Sequence, residues 1–217
     1  MIEILFENND LVVCVKPVGV YSQNDKADDM VQLLKEQTGS DIYPVHRLDK
    51  ETEGLMIYAL DAKAAATLSA DISEGRWEKT YRAWLWGVPE KESDTLCDLL
   101  YYDRARGKSF VVQRERKGVK AASLEYEVIS RSHDKKRTLV QIKLHTGRTH
   151  QIRVQFSSRK TPLTGDGRYG SKVRDCSIAL YSHKIAFNHP RTKEMVEFIS
   201  NPDFSVYPWN SGSVDNA

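Results

Sequence analysis

The chain has 217 residues, 40% of them hydrophobic and 29% charged, with a formal net charge of +2. That length supports a self-stabilising core, and no apolar run approaches the roughly 20 residues of a membrane helix. The three cysteines, Cys14, Cys97 and Cys176, are odd in number, far apart and without a CxxC pair, which argues against a disulfide framework or a cysteine-based zinc site and for a reducing compartment.

Residues 2–6 and 11–16 are short β-rich runs around the turn signal Asn8-Asn9-Asp10, and predict a hairpin that Lys16-Pro17-Val18-Gly19 ends. The start, MIEILFENND, lacks a basic n-region, so no secretion signal is expected and the location is expected to be cytoplasmic. Asp28–Thr38 predicts a short amphipathic helix, with Met30, Leu33 and Leu34 on one face and Gly39 as its stop. His46–Leu60, HRLDKETEGLMIYAL, turns from polar to apolar halfway along. It predicts a loop presenting Arg47 and Asp49, a turn at Gly54 and a buried strand over Leu55–Leu60. Ala62–Ser73 is an alanine-rich second helix ending at Gly75, and Lys79–Trp86 alternates as a strand with Tyr81, Ala83 and Leu85 on one side. Spacing alone favours Asp49 as a turn cap paired with Arg47, and Tyr81 as a core residue.

Pro89–Asp94 is a polar loop. Arg104–Lys120 holds seven basic residues and one acid, and its one β run, Ser109–Gln113, lies between basic turns at Arg106-Gly107 and Lys117-Gly118. A protruding basic hairpin is predicted. Ser123–Ser130 and Thr138–Leu144 are strands around the turn Arg131–Arg137, and Arg148–Ser158 is a helix with Ile152 and Phe156 four apart. Arg159–Ser171 is a glycine-punctuated loop; Ala179–Phe187 and Glu194–Ile199 are late strands joined by Asn188-His189-Pro190; Ser211–Ala217 is a frayed tail. Without a repeat or composition break, one domain is expected. Lys143–Lys160 adds five basic residues and no acid, so the two basic stretches carry +11 and the remainder −9. Such segregation suits a polyanion-binding face on an acidic body.

Six stretches, in order, resemble the RluA-like family of RNA pseudouridine synthases: ILFENNDLVVCVKPVGV from Ile4, HRLDKETEG from His46, KTYRAWLWG from Lys79, LHTGRTHQIRVQF from Leu144, PLTGDGRYG from Pro162 and ALYSHKIAFNHP from Ala179. The resemblance implies an α+β fold with a mostly antiparallel, mixed central sheet, flanking helices and a central catalytic cleft. It implies that Asp49 is the catalytic carboxylate, acting as nucleophile at C1′ or as base at C2′. Arg153 matches the basic partner of that aspartate, and Tyr81 the aromatic that packs on uracil and is a candidate for C5 proton transfer. Leu180 matches an aliphatic wall of the base pocket and Arg47 an arginine near the flipped nucleotide. His46, Arg148 and Lys16 are further substrate-side candidates, Lys16 as a contact to the RNA backbone. Arg114, Arg116 and Lys117, in the basic hairpin, are the RNA-backbone candidates.

Converting uridine to pseudouridine breaks the bond from N1 to the sugar, turns the base and rejoins it through C5. It needs a carboxylate near the sugar, a pocket that retains the free base and a group that takes the C5 proton, but no cofactor or metal. The target must also be flipped out of its stack. The expected partner is therefore transfer or ribosomal RNA, not DNA or a membrane, and the protein is expected to be a monomer without the small N-terminal RNA-binding domain of many relatives. Two departures bear on substrate detail: Thr52-Glu53-Gly54 replaces the usual Thr-Ser-Gly, and Gln155 stands where many relatives have histidine. Three other readings are weaker. His46, His145 and His150 lack helix-face zinc spacing, a glycosidase needs two carboxylates, and a non-catalytic RNA-binding protein would not need both Asp49 and Tyr81.

Overall fold

The computed structural model describes residues 1–24 and 29–211. In chain order the elements are β1 (Glu3–Glu7), β2 (Leu11–Lys16), α1 (Met30–Thr38), β3 (Tyr43–Pro44), β4 (Glu53–Ala59), α2 (Ala62–Ser73), β5 (Glu78–Trp86), β6 (Ser93–Asp103), β7 (Lys108–Val112), β8 (Val119–Arg131), β9 (Arg137–Leu144), α3 (Gln151–Ser158), β10 (Leu180–Asn188) and β11 (Met195–Ile199). The fold is α+β. Two compact units emerge where no composition break is visible, one of residues 1–79 and 181–201, the other of 80–180 and 202–217. Two of the divisions fall inside strands, so no linker composition marks them.

In the first unit β4 is the centre. It pairs antiparallel with β2, from Leu11↔Ala59 to Lys16↔Gly54, and β2 pairs with β1. On its other edge β4 runs parallel to β10 through Tyr181↔Glu53 and Ser182↔Gly54, and β11 closes on β10 antiparallel. Gly54 is required at this crossing. At φ +113° an added Cβ would lie 2.5 Å from the Ser182 carbonyl oxygen and 2.6 Å from its nitrogen, too close for any side chain. Leu11, Val13, Leu55, Ile57, Leu68, Trp77 and Phe187 form the core over which α2 packs, each large side chain contributing about 2 kcal/mol on burial. Asp61 starts α2 by accepting from the Lys63 and Ala64 N–H groups at 2.8 Å. Helix α1 begins after Asp29, whose carboxylate caps Gln32; the expected first residue, Asp28, lies outside the described residues, as does the expected tail beyond residue 211.

The second unit is an antiparallel sheet in the order β5-β9-β8-β6-β7. Strand β6, which occupies part of the predicted polar loop, pairs with β8 from Ser93↔Glu127 to Tyr101↔Val119. That pairing starts β8 four residues before the predicted Ser123. Sequence SDTLCDLLYYD escaped a strand reading because it buries only Leu96 and Leu100 well and carries aspartates among them. The basic hairpin is real in outline, with β7 between turns at 104–107 and 113–118. Helix α3 starts at Gln151 rather than Arg148, because His150 sits in the left-handed region at φ 54°. The Gln151 side chain folds back to accept from Arg148 N–H at 3.0 Å and the Thr146 hydroxyl at 2.7 Å. Its apolar face meets the sheet through Val154, beside Leu100 and Ala122, and through Phe156, edge-on to Tyr126.

Candidate active site

Asp49 sits half-buried in the loop between β3 and β4, and both of its neighbours are tied down. Before it, Leu48 donates its N–H to the Ser22 hydroxyl at 3.0 Å, and that hydroxyl donates to the Leu48 carbonyl at 2.9 Å. After it, the Lys50 carbonyl accepts from Gly19 N–H at 2.9 Å and from the Lys16 ammonium at 3.1 Å. Thr52 N–H closes a turn onto the Asp49 carbonyl at 3.0 Å. The loop is therefore a fixed mount for one carboxylate, the arrangement that positional catalysis needs. Arg47, beside it, is exposed.

Two expected substrate contacts turn inward instead. Lys16 is 0% exposed, and its ammonium donates to the carbonyls of Pro17 and Val20, both at 2.8 Å, as well as to Lys50. An ammonium has three protons to give, and all three are used, so Lys16 is a clamp and not an RNA contact. Burial pushes it down to about 8, against the pull of Glu51, Asp49 and Glu53. His46 accepts the Ile57 N–H on Nε2 at 3.0 Å and packs edge-on against Trp77 at 5.3 Å. Its imidazole is held well below its usual value by desolvation and then by Lys79. It anchors the loop to β4 and is not free to bind a nucleotide through that nitrogen.

In the second unit Tyr81 is buried on β5 opposite Ile142, and Leu180 is buried at the start of β10. Arg153 projects from α3 into a cradle that sequence reasoning had passed over. Its Nε and Nη2 donate to the two oxygens of Asp166 at 2.7 and 3.0 Å, with side-chain exposures of 3% and 1%. Its guanidinium lies 5.2 Å from the centre of the Tyr169 ring. The signal was an acid and an aromatic among the three glycines of GDGRYG. Arg148 donates Nε–H to the Ala121 carbonyl at 2.9 Å.

Gln155, the departure from the histidine of many relatives, faces β6, where its amide donates to Leu96 O at 3.1 Å and Asp98 Oδ2 at 2.7 Å. It fastens α3 to the sheet. Arg114, Arg116 and Lys117 are exposed at the hairpin turn, Arg116 stacked 4.5 Å above Tyr101. A cavity of about 400 Å³ in this unit is lined by Asp94, Glu125, Glu127 and Lys143 among others; its carboxylates would repel a phosphate chain.

The three histidines considered for metal are engaged separately: His46 with Ile57, His145 with Glu125 at 2.9 Å and His150 with the Tyr169 hydroxyl at 3.0 Å. Among the described residues no helix is long and apolar enough to cross a membrane.

Residues 10–158 match the family described as RNA pseudouridylate synthase. An uncharacterized RNA pseudouridine synthase of Aquifex aeolicus is 32% identical over 96% of this chain and 72% of its own. The dual-specificity RNA pseudouridine synthase RluA of Pasteurella multocida is 32% identical over 94% of both. Among solved structures, the human RNA pseudouridylate synthase domain containing 1 superposes with a TM-score of 0.79 at 24% identity, covering 94% of this chain and 84% of that one, a likeness of fold.

Proposed function

The chain belongs to the RluA-like family of RNA pseudouridine synthases, which are isomerases, and on that basis we propose that it converts a specific uridine of a structured RNA, with Asp49 as the carboxylate acting at the sugar. The observation that carries this reading is the mount of Asp49, whose two neighbours are fixed by Ser22 on one side and by Lys16 and Gly19 on the other. A carboxylate used only to cap a turn needs no such double anchoring.

In this reading Tyr81 packs on the detached uracil and serves the C5 proton transfer, Arg153 is the basic partner of Asp49, and Leu180 walls the base. These roles rest on the motif resemblance. Arg47 and Arg148 are the substrate-side cations that remain once Lys16 and His46 are assigned to the scaffold. The isomerisation is internally balanced. The sugar carbon exchanges a bond to N1 for one to C5, C5 loses a proton and N1 gains one. The RNA meets the exposed basic hairpin, and the target is a uridine in a stem-loop of transfer or ribosomal RNA, where flipping is cheapest. The segment Lys143–Lys160, expected to join that face, instead buries Arg153 against Asp166 and pairs Arg159 with Asp98.

Incubating the purified protein with unmodified total RNA tests this directly. New carbodiimide-reactive uridines without a mass change are expected. RNA that is bound yet unchanged under the same conditions would contradict the catalytic reading and support a binding protein.

A further inference from the structure

We propose that Asp166 and Tyr169 are positioning residues that aim the Arg153 guanidinium; the proposal rests on the reading of Arg153 as the basic partner in catalysis. A buried ion pair is weak evidence for stability, since its desolvation cost offsets much of its attraction. What a two-bond carboxylate fork does supply is direction. Engaging Nε and Nη2 together fixes both the plane and the rotation of the guanidinium, which a single contact would leave free.

The carboxylate can do this because its own backbone is immobile. Thr164 N–H donates to Trp84 O at 2.8 Å, and Ala179 N–H donates to Thr164 O at 2.9 Å, stapling the segment beside β5. At Gly165, φ +82°, an added Cβ would lie 2.1 Å from the Ser177 carbonyl oxygen. The Asp166 carbonyl accepts from the Tyr169 and Ser171 N–H groups at 3.1 and 3.0 Å. Acid and aromatic are thus parts of one rigid shelf.

Tyr169 supplies the second constraint, a ring face against the guanidinium. Its hydroxyl accepts the Ser109 N–H at 2.7 Å and meets His150 Nδ1 at 3.0 Å. Ser109 belongs to β7 of the basic hairpin, whose Lys108 donates to Arg168 O at 2.6 Å. The orientation of Arg153 is therefore referred to the hairpin as well as to its own helix.

The test is single-turnover conversion, on an RNA that the wild type modifies, by Asp166→Asn, Arg153→Lys and the double variant, with folding checked by thermal melts. Misaiming a reacting group by about 1 Å costs on the order of a hundredfold, and that loss is expected for Asp166→Asn with RNA affinity within about threefold. Lysine lacks the fork that Asp166 orients, so adding Asp166→Asn to Arg153→Lys is expected to cost less than about threefold more.

A merely structural Asp166 would give multiplying losses, and that result, or a near-wild-type rate for Asp166→Asn, overturns the proposal. If Asp166→Asn does not fold, Tyr169→Phe decides. It keeps the ring but frees it from Ser109 and His150, so a rate loss of about tenfold that disappears in the Arg153→Lys background is expected, and a wild-type rate overturns the idea. Failure of the wild type to convert any RNA would instead overturn the enzymatic reading, and this proposal with it.

Discussion

The ammonium of Lys16 lies 3.1 Å from the carbonyl oxygen of Lys50, one residue beyond Asp49. The lysine ends β2 and the carbonyl belongs to the loop before β4, so one buried side chain ties the KPVG turn to the loop that carries the carboxylate. Its cation holds backbone in place and is spent there.

Replacing Lys16 by methionine keeps the length and the apolar stem but removes three donors. Stability should fall by about 2 kcal/mol, the cost of buried carbonyls left short of partners, measured by urea unfolding. The catalytic rate should drop about tenfold as the loop relaxes. The salt dependence of RNA binding should stay unchanged, because Lys16 neutralises no phosphate. A flatter salt slope would return Lys16 to the RNA surface.

His46 gives the scaffold a signature in pH. An unfolded histidine takes up a proton near pH 6.5, whereas desolvation keeps the folded one neutral to well below that value. Below about pH 6.5 the unfolded chain therefore binds more protons than the folded one, and stability is lost as pH falls. Protonating Nε2 would also abolish its acceptance of the Ile57 N–H. The stability of the wild type should drop more steeply from pH 7 to 5 than that of His46→Gln, followed by urea unfolding at each pH. Parallel curves would mean that this ring titrates alike in both states.

How much of this was legible in the chain depends on the range of the contacts. Helix α2 was readable end to end, because its alanines and its period are local, and the structure adds a local cap at Asp61. The apolar strand after HRLDKETEG was readable for the same reason. Lysine and histidine beside a motif suggest ligand contacts, but nothing local says that the Lys16 ammonium also reaches the Lys50 carbonyl 34 residues on, or that His46 takes the N–H of Ile57 11 residues on, both backbone atoms. Arg153 was singled out by its motif, but Asp166 was not, since nothing in a glycine-rich loop says which way a carboxylate points. Strand β6 was missed because its partner β8 decides its register, and its own pattern is broken by Asp94 and Asp98.

The basic hairpin yields a prediction in salt. Replacing Arg114, Arg116 and Lys117 by alanine should weaken RNA binding and flatten the plot of log affinity against log salt by roughly 0.7 to 0.9 per lost phosphate contact. Filter binding at several salt concentrations measures it. A slope equal to that of the wild type would make the hairpin a solvated decoration.

Recognition should be local. A single exposed basic hairpin suits a stem-loop grip more than contacts distributed over a large RNA. A short hairpin cut from the mapped site should retain a kcat/KM within about a hundredfold of the full-length RNA, a difference near 2.7 kcal/mol. A greater loss would mean that distant parts of the RNA contribute to binding the transition state.

The most direct measurement is the activity of Asp49→Asn. The amide keeps the shape of the carboxylate and the anchoring of Leu48 and Lys50 on either side, but it serves neither as nucleophile nor as base at the sugar. Single-turnover assays on an RNA that the wild type converts should show no pseudouridine, with RNA affinity unchanged within about threefold, since no phosphate contact is lost. Substantial pseudouridine formation by a clean preparation of Asp49→Asn would contradict the account.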